Sequence, residues 1–271
     1  MNRTVLLSIV ILLIFLPVAL VVGCQQQPAP SLTPPTPAPT TPPTPTPTPS
    51  PIPTPSQPSP SPSPCPSGSP PAKIAYYGHL GRSWNRIPDI TVSARAGDPR
   101  IQMVEEAVDW WNQQLTAIGS PFRLGSITHT TELVPADYLQ EYSSAGMQGK
   151  PSPEPPEILQ NMPGDLIIAL SDGMFISFAT YPRSGTSLIA IRNSEVPPLS
   201  LTNVTRNVIA HELGHAVGLG HHNDPTKLMC GRPAECRPAG YHCDIEQFFS
   251  VTDDEKAYLL EQYPLNWKPR P

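Results

Sequence analysis

Charge is almost missing from the first quarter of this chain: residues 1–72 hold no Asp, Glu or Lys and one Arg, Arg3. With Arg3 set aside, residues 73–271 carry 16 basic against 22 acidic residues, a net charge of −6. Nothing there is basic enough to fit a nucleic-acid partner. Internal repeats are also missing, which excludes a stacked-repeat architecture. The five cysteines contain no C-x-x-C pair.

What the sequence has in excess is proline, 40 residues, of which 21 fall between Pro28 and Pro71. That stretch has no periodic apolar face and no means of burying one, so it excludes a packed core. Proline fixes φ and lacks an N–H, so the segment is expected to be extended and polyproline-like. At about 3.1 Å per residue it reaches roughly 140 Å at most. Before it, Met1–Gly23 reads as a secretory address: Arg3 supplies the positive start and Val5–Val22 the apolar run. Val21-Val22-Gly23-Cys24 resembles a bacterial lipobox, which implies cleavage after Gly23 and lipid on Cys24. The alternative is an uncleaved membrane-spanning anchor, since this 18-residue stretch is just long enough to cross a bilayer. Both readings put the remainder outside the cytoplasm, attached to a membrane. The expected division is a signal peptide over 1–23, a Pro/Ser/Thr-rich spacer over 24–72 and a globular domain over 73–271, long enough for a real core.

Within that domain, "IPDITVSARAG" contains a short alternating strand. Asp98-Pro99 reads as a helix start, and Ile101, Val104, Val108, Trp111, Leu115 and Ile118 form an apolar stripe ending near Gly119. "FRLGSITHT" predicts a second strand, and Pro151–Glu157 a loop. The apolar run of Leu166–Leu170 predicts a buried strand, and "TSLIAIRN" another. Thr202 or Asn203 is expected to cap a helix running to about Val217. "SVTDDEKAYLLEQY" predicts a terminal helix, capped by Ser250 or Thr252, with acidic residues in its first turn.

The chemistry concentrates in "VIAHELGHAVGLGHHNDPTKLMC", Val208–Cys230. His211 and His215 are four apart, so both lie on one helical face and can present nitrogens to one tetrahedral zinc. Glu212 projects at a different angle, placed to contact a water instead of the metal. Gly218 can end the helix by taking positive φ. The turn lets His221 swing back as the third ligand and leaves the fourth position open, the mark of a catalytic site.

The spacing H-E-x-x-H-x-x-G-x-x-H with Met229 eight residues on resembles the metzincin zinc peptidases, most closely the matrixin type. The resemblance implies an α+β fold: a twisted mixed β-sheet with two long helices, a Met-turn at Met229 and a C-terminal helix. It also implies one catalytic Zn²⁺, with Glu212 as the general base in peptide-bond hydrolysis. Some residues depart from the family pattern. His222 stands where matrixins have serine, which leaves it as a supporting or surface residue. Cys230-Gly231 replaces the tyrosine and proline after the methionine. The residues of a matrixin structural zinc are missing between Met162 and Asn193, calcium has no support, and there is no cysteine-switch propeptide. The strand Thr186–Arg192 is the expected edge along which a substrate strand pairs.

Four cysteines besides Cys24 remain: Cys65, Cys230, Cys236 and Cys243. Outside the cytoplasm they are candidates for disulfides, with three possible connectivities. The rival reading is a second zinc bound by cysteines and His242. The functional expectation is a monomeric, membrane-anchored extracytoplasmic zinc endopeptidase acting on protein or peptide. The alternative is a surface adhesion lipoprotein that keeps a zinc site without turnover.

Overall fold

The computed structural model describes residues 73–80, 84–180, 186–234 and 247–270, all within one compact unit spanning residues 60–271. The apolar N-terminus, Cys24, the proline spacer, Cys65, Cys236, His242 and Cys243 lie outside the described residues. Among the described residues no helix is long and apolar enough to cross a membrane.

The element order is β1 (Ile90–Ser93), α1 (Arg100–Ala117), β2 (Ile127–Thr130), α2 (Ala136–Gln148), α3 (Glu157–Asn161), β3 (Leu166–Leu170), β4 (Phe178–Ala179), β5 (Ser187–Ile191), α4 (Thr202–Ala216) and α5 (Asp253–Gln262). This is a mixed α/β arrangement around one five-stranded sheet, ordered β2-β1-β3-β5-β4. All neighbours run parallel except β4, which is antiparallel to β5. Parallel strands need crossovers and are covered on both faces. That is why β3 reads as an unbroken apolar run and is buried at all five positions.

Alternation along β3 divides the core. Leu166, Ile168 and Leu170 join Val104, Val108, Trp111 and Leu115 of α1 and Ile209 and Leu213 of α4. Ile167 and Ala169 face the other way, packing with Leu139 of α2 and Leu159 of α3. Trp111 is fully buried and its indole N–H donates to the Ala210 carbonyl at 2.8 Å, tying α1 to the helix that carries the histidines. Asp98 accepts from the Arg100 amide at 2.9 Å at the start of α1. The buried Arg100 guanidinium also donates to the carbonyls of Ser171 and Arg192, both at 2.9 Å, so the helix start is pinned to the ends of β3 and β5.

Three local expectations are corrected. The strand in Thr186–Arg192 is not an edge: β5 lies between β3 and β4, and the edge belongs to the two-residue β4. Neither Thr202 nor Asn203 caps α4; Thr202 is its first helical residue, and no side chain caps the preceding Leu201 position. Glu157 does not belong to a loop but opens α3, with Pro156 before it. At the other end of the domain, Thr252 caps α5 through a capping box: its hydroxyl accepts the Glu255 amide, and the Glu255 carboxylate accepts the Thr252 amide.

Candidate active site

α4 stops at Val217, and Gly218 follows with φ of +103°. A side chain is disfavoured in that left-handed region, so glycine is what lets the chain reverse here. The Leu219 amide closes the turn on the Gly214 carbonyl at 2.9 Å. His221 thereby returns to the two helical histidines: its Nε2 lies 3.1 Å from His211 Nε2 and 2.9 Å from His215 Nε2. Among the described residues these three form the one His/Cys/Asp/Glu cluster with ligand atoms gathered within 4.8 Å.

The hydrogen bonds on the far side of each ring settle the tautomers. His211 Nδ1 meets the Leu228 carbonyl at 2.8 Å, His215 Nδ1 the Leu219 carbonyl at 2.8 Å, and His221 Nδ1 the Arg232 carbonyl at 3.0 Å. A carbonyl can only accept, so each Nδ1 carries the proton and each neutral ring points a bare Nε2 lone pair inward. Burial, reinforced by neighbouring His221, lowers His215 to about 4, and burial lowers His221 as well, so neutral rings are favoured. Three converging lone pairs repel one another unless a cation sits among them. Ligand nitrogens about 2.0–2.1 Å from a tetrahedral zinc stand roughly 3.3 Å apart, close to the spacing seen here. The donor set therefore fits zinc, and each ligand has the outer hydrogen bond that orients metal-binding imidazoles.

Glu212 lines the same cleft and is only 6% exposed. Burial alone pushes its carboxyl up to about 8; a cation on the adjacent imidazoles acts in the opposite direction. The cleft has a volume of about 600 Å³. One wall is the edge segment Ile176–Ala179, and the other includes Tyr77 and Leu80.

That second wall belongs to a strap, Lys73–Leu80, with no counterpart in the motif. The Tyr77 amide donates to the His221 carbonyl at 2.9 Å and the Leu80 amide to the Gly218 carbonyl at 3.0 Å. The strap runs so close that a Cβ on Gly220 would lie 2.7 Å from the Gly78 carbonyl carbon and closer still to its oxygen. Gly231 makes room in the same way: a Cβ there would sit 2.5 Å from Cγ and Nε2 of His221. Within the Cys230-Gly231 departure, the glycine thus has a steric reason. The motif identified neither glycine; the second glycine of "GLG" was the only signal for the first.

Met229 is fully buried and packs under α4 at Gly214, where a Cβ would lie 2.9 Å from Met229 Cε and 3.0 Å from Trp111 Cζ2. Its neighbour Leu228 supplies the carbonyl that orients His211. Cys230 is buried, and the other candidate half-cystines lie outside the described residues. His222 is not on the surface; it is fully buried against α5.

No protein-family model matches the sequence, and no curated protein matches it. Among solved structures, the crystal structure of archaemetzincin from Methanopyrus kandleri is similar over 68% of this chain and 98% of that one. The identity is 17% and the TM-score 0.38, a likeness too distant to assign a family, and the site is read from its own geometry.

Proposed function

We propose that residues 73–271 form a zinc-dependent endopeptidase domain of metzincin, matrixin-like type. The chain's N-terminus would attach it outside the cytoplasm as a lipoprotein. The observation that carries this reading is the set of three imidazoles, each locked by a backbone carbonyl into the tautomer that aims Nε2 inward, beside the buried carboxyl of Glu212 in an open cleft.

When bound, zinc supplies a polarised water and a Lewis acid for the scissile carbonyl. His211, His215 and His221 hold it and leave one side of the cleft free for substrate. Glu212 takes a proton from the attacking water and returns it to the leaving nitrogen; its burial keeps bulk solvent from competing for that proton. β4, at the end of the sheet, offers the edge on which an extended peptide aligns by main-chain hydrogen bonds, in place of β5. Met229 supports the site from beneath by packing, as a Met-turn does, and does not bind metal. The proline-rich spacer holds the domain away from the membrane.

The test is peptide hydrolysis by the zinc-loaded wild type and by Glu212→Gln across a diverse peptide library. Cleavage by the wild type, lost in the variant at unchanged zinc content, is the expected result. A zinc-loaded wild type that cuts nothing would replace the peptidase by a zinc-containing surface adhesion protein. The cleaved positions also supply the substrate preference.

A further inference from the structure

His211 and His215 are placed by the backbone of α4, but His221 sits on a loop and needs another anchor. Its immediate neighbour provides one. His222 Nδ1 accepts the Asp224 amide at 3.1 Å, and Nε2 faces Glu255 Oε1 at 3.4 Å, a close polar contact without hydrogen-bond geometry. Both side chains are completely buried. The other oxygen of Glu255 takes the Thr252 amide at 2.7 Å and the Thr252 hydroxyl at 2.9 Å. That hydroxyl accepts from the Tyr76 phenol at 2.8 Å. The acid of the α5 capping box thus bonds its own helix start through one oxygen and packs its other oxygen against the loop that carries His221.

The backbone of His222 is held equally closely. Its amide donates to the Met229 carbonyl at 3.2 Å, and its carbonyl accepts the Gly231 amide at 3.1 Å. Gly231 precedes Arg232, whose carbonyl orients the His221 ring. Tyr76 forms a β-bridge to His222, and the next residue, Tyr77, donates to the His221 carbonyl. Strap, Met229 segment and α5 all converge on residue 222, one peptide bond from the loop ligand.

We infer that His222 and Glu255 are positioning residues for the third zinc ligand, setting His221 through the loop they clamp to α5. This deepens the proposed zinc site and rests on that reading. Loss of an interaction that orients a ligand lowers metal affinity by about 10–100-fold. A merely structural pair would lower the stability of the metal-free protein and leave the affinity of the folded state unchanged.

The experiment compares full-length wild type, His222→Gln, Glu255→Gln and Tyr76→Phe. Leu115→Ala in the core serves as a destabilised control remote from the site. The readouts are zinc affinity by chelator competition, under conditions where each protein is folded, and the visible absorption of the cobalt(II)-substituted protein. The expected result is zinc binding 10–100-fold weaker in the first two variants, with an altered cobalt spectrum. Leu115→Ala binds as the wild type does. Tyr76→Phe removes a single hydroxyl at the far end of the network and keeps the inference testable should the buried substitutions fail to fold; it is expected to bind zinc several-fold more weakly. Affinities within twofold of wild type and unchanged cobalt spectra in the folded variants would overturn the inference. A wild type that binds no zinc would instead remove the site itself, a different outcome from the first.

Discussion

Replacing Gly231 by alanine tests the site at its tightest point. The new Cβ would stand 2.5 Å from Cγ and Nε2 of the His221 ring. Non-bonded contacts settle at about 3.5 Å, so the ring must retreat by about 1 Å. Metal–ligand distances tolerate roughly 0.2 Å, so His221 can no longer reach zinc held by the other two imidazoles. The ring is only half-buried and opens on the cleft, so it can swing towards solvent and lose little more than its 3.0 Å bond to the Arg232 carbonyl. That bond is worth about 1 kcal/mol. Gly231 has no positive φ, so alanine is compatible with the backbone and recovers ~0.4–1 kcal/mol by restricting the unfolded chain. The metal-free protein should therefore change in stability by less than about 1 kcal/mol. Zinc affinity should fall at least ~100-fold, or about 3 kcal/mol. Chelator competition measures the second quantity and urea denaturation of the metal-free protein the first. Zinc binding within threefold of wild type would refute the steric argument.

The remaining predictions address the scaffold and the metal. Gly220→Ala pushes the strap off the loop, breaking the hydrogen bonds from the Tyr77 and Leu80 amides to the His221 and Gly218 carbonyls; the expected cost is about 2 kcal/mol in urea denaturation, with earlier proteolysis near the strap. Trp111→Ala empties the core between α1 and α4 and should cost ~3–5 kcal/mol by the same measurement. Thr252→Ala removes the cap of α5 and the acceptor for Tyr76, an expected loss of ~1–2 kcal/mol. Zinc at a thousandfold its dissociation constant should raise stability by about 4 kcal/mol, an increment absent in His215→Ala; equal stabilisation of both would mean that the metal binds elsewhere.

Local periodicity carried the helices and central strands. The stripe from Val104 to Leu115 is the buried face of α1, and Leu166–Leu170 is the doubly covered strand. α2 was not legible because Tyr138, Tyr142 and the small residues after it make no regular apolar stripe; only Leu139, Ser143 and Ala145 are buried. β4 is two residues long and defined by its partner, so no pattern in its own sequence marks it. At the site, the spacing of His211, His215, Gly218 and His221 was enough to bring the three imidazoles together, because helix pitch and one reversing turn are local properties. The parts that depend on distant chain were not legible. Tyr77 meets His221 across the whole domain, and Glu255 meets His222 from the last helix.

The strap has a consequence for timing. Ala75 bonds Asn223 148 positions away and Tyr76 bonds Thr252 at a separation of 176; beyond the strap, the Trp84 amide bonds Tyr263 at 179. Closing contacts this far apart comes late, because the loop entropy is lost before the contacts return it. A chain that has emerged only as far as His221 therefore owns all three ligands but lacks α5, against which the loop is clamped. On the reading proposed above, the three imidazoles would be held ready for metal only once the domain is complete.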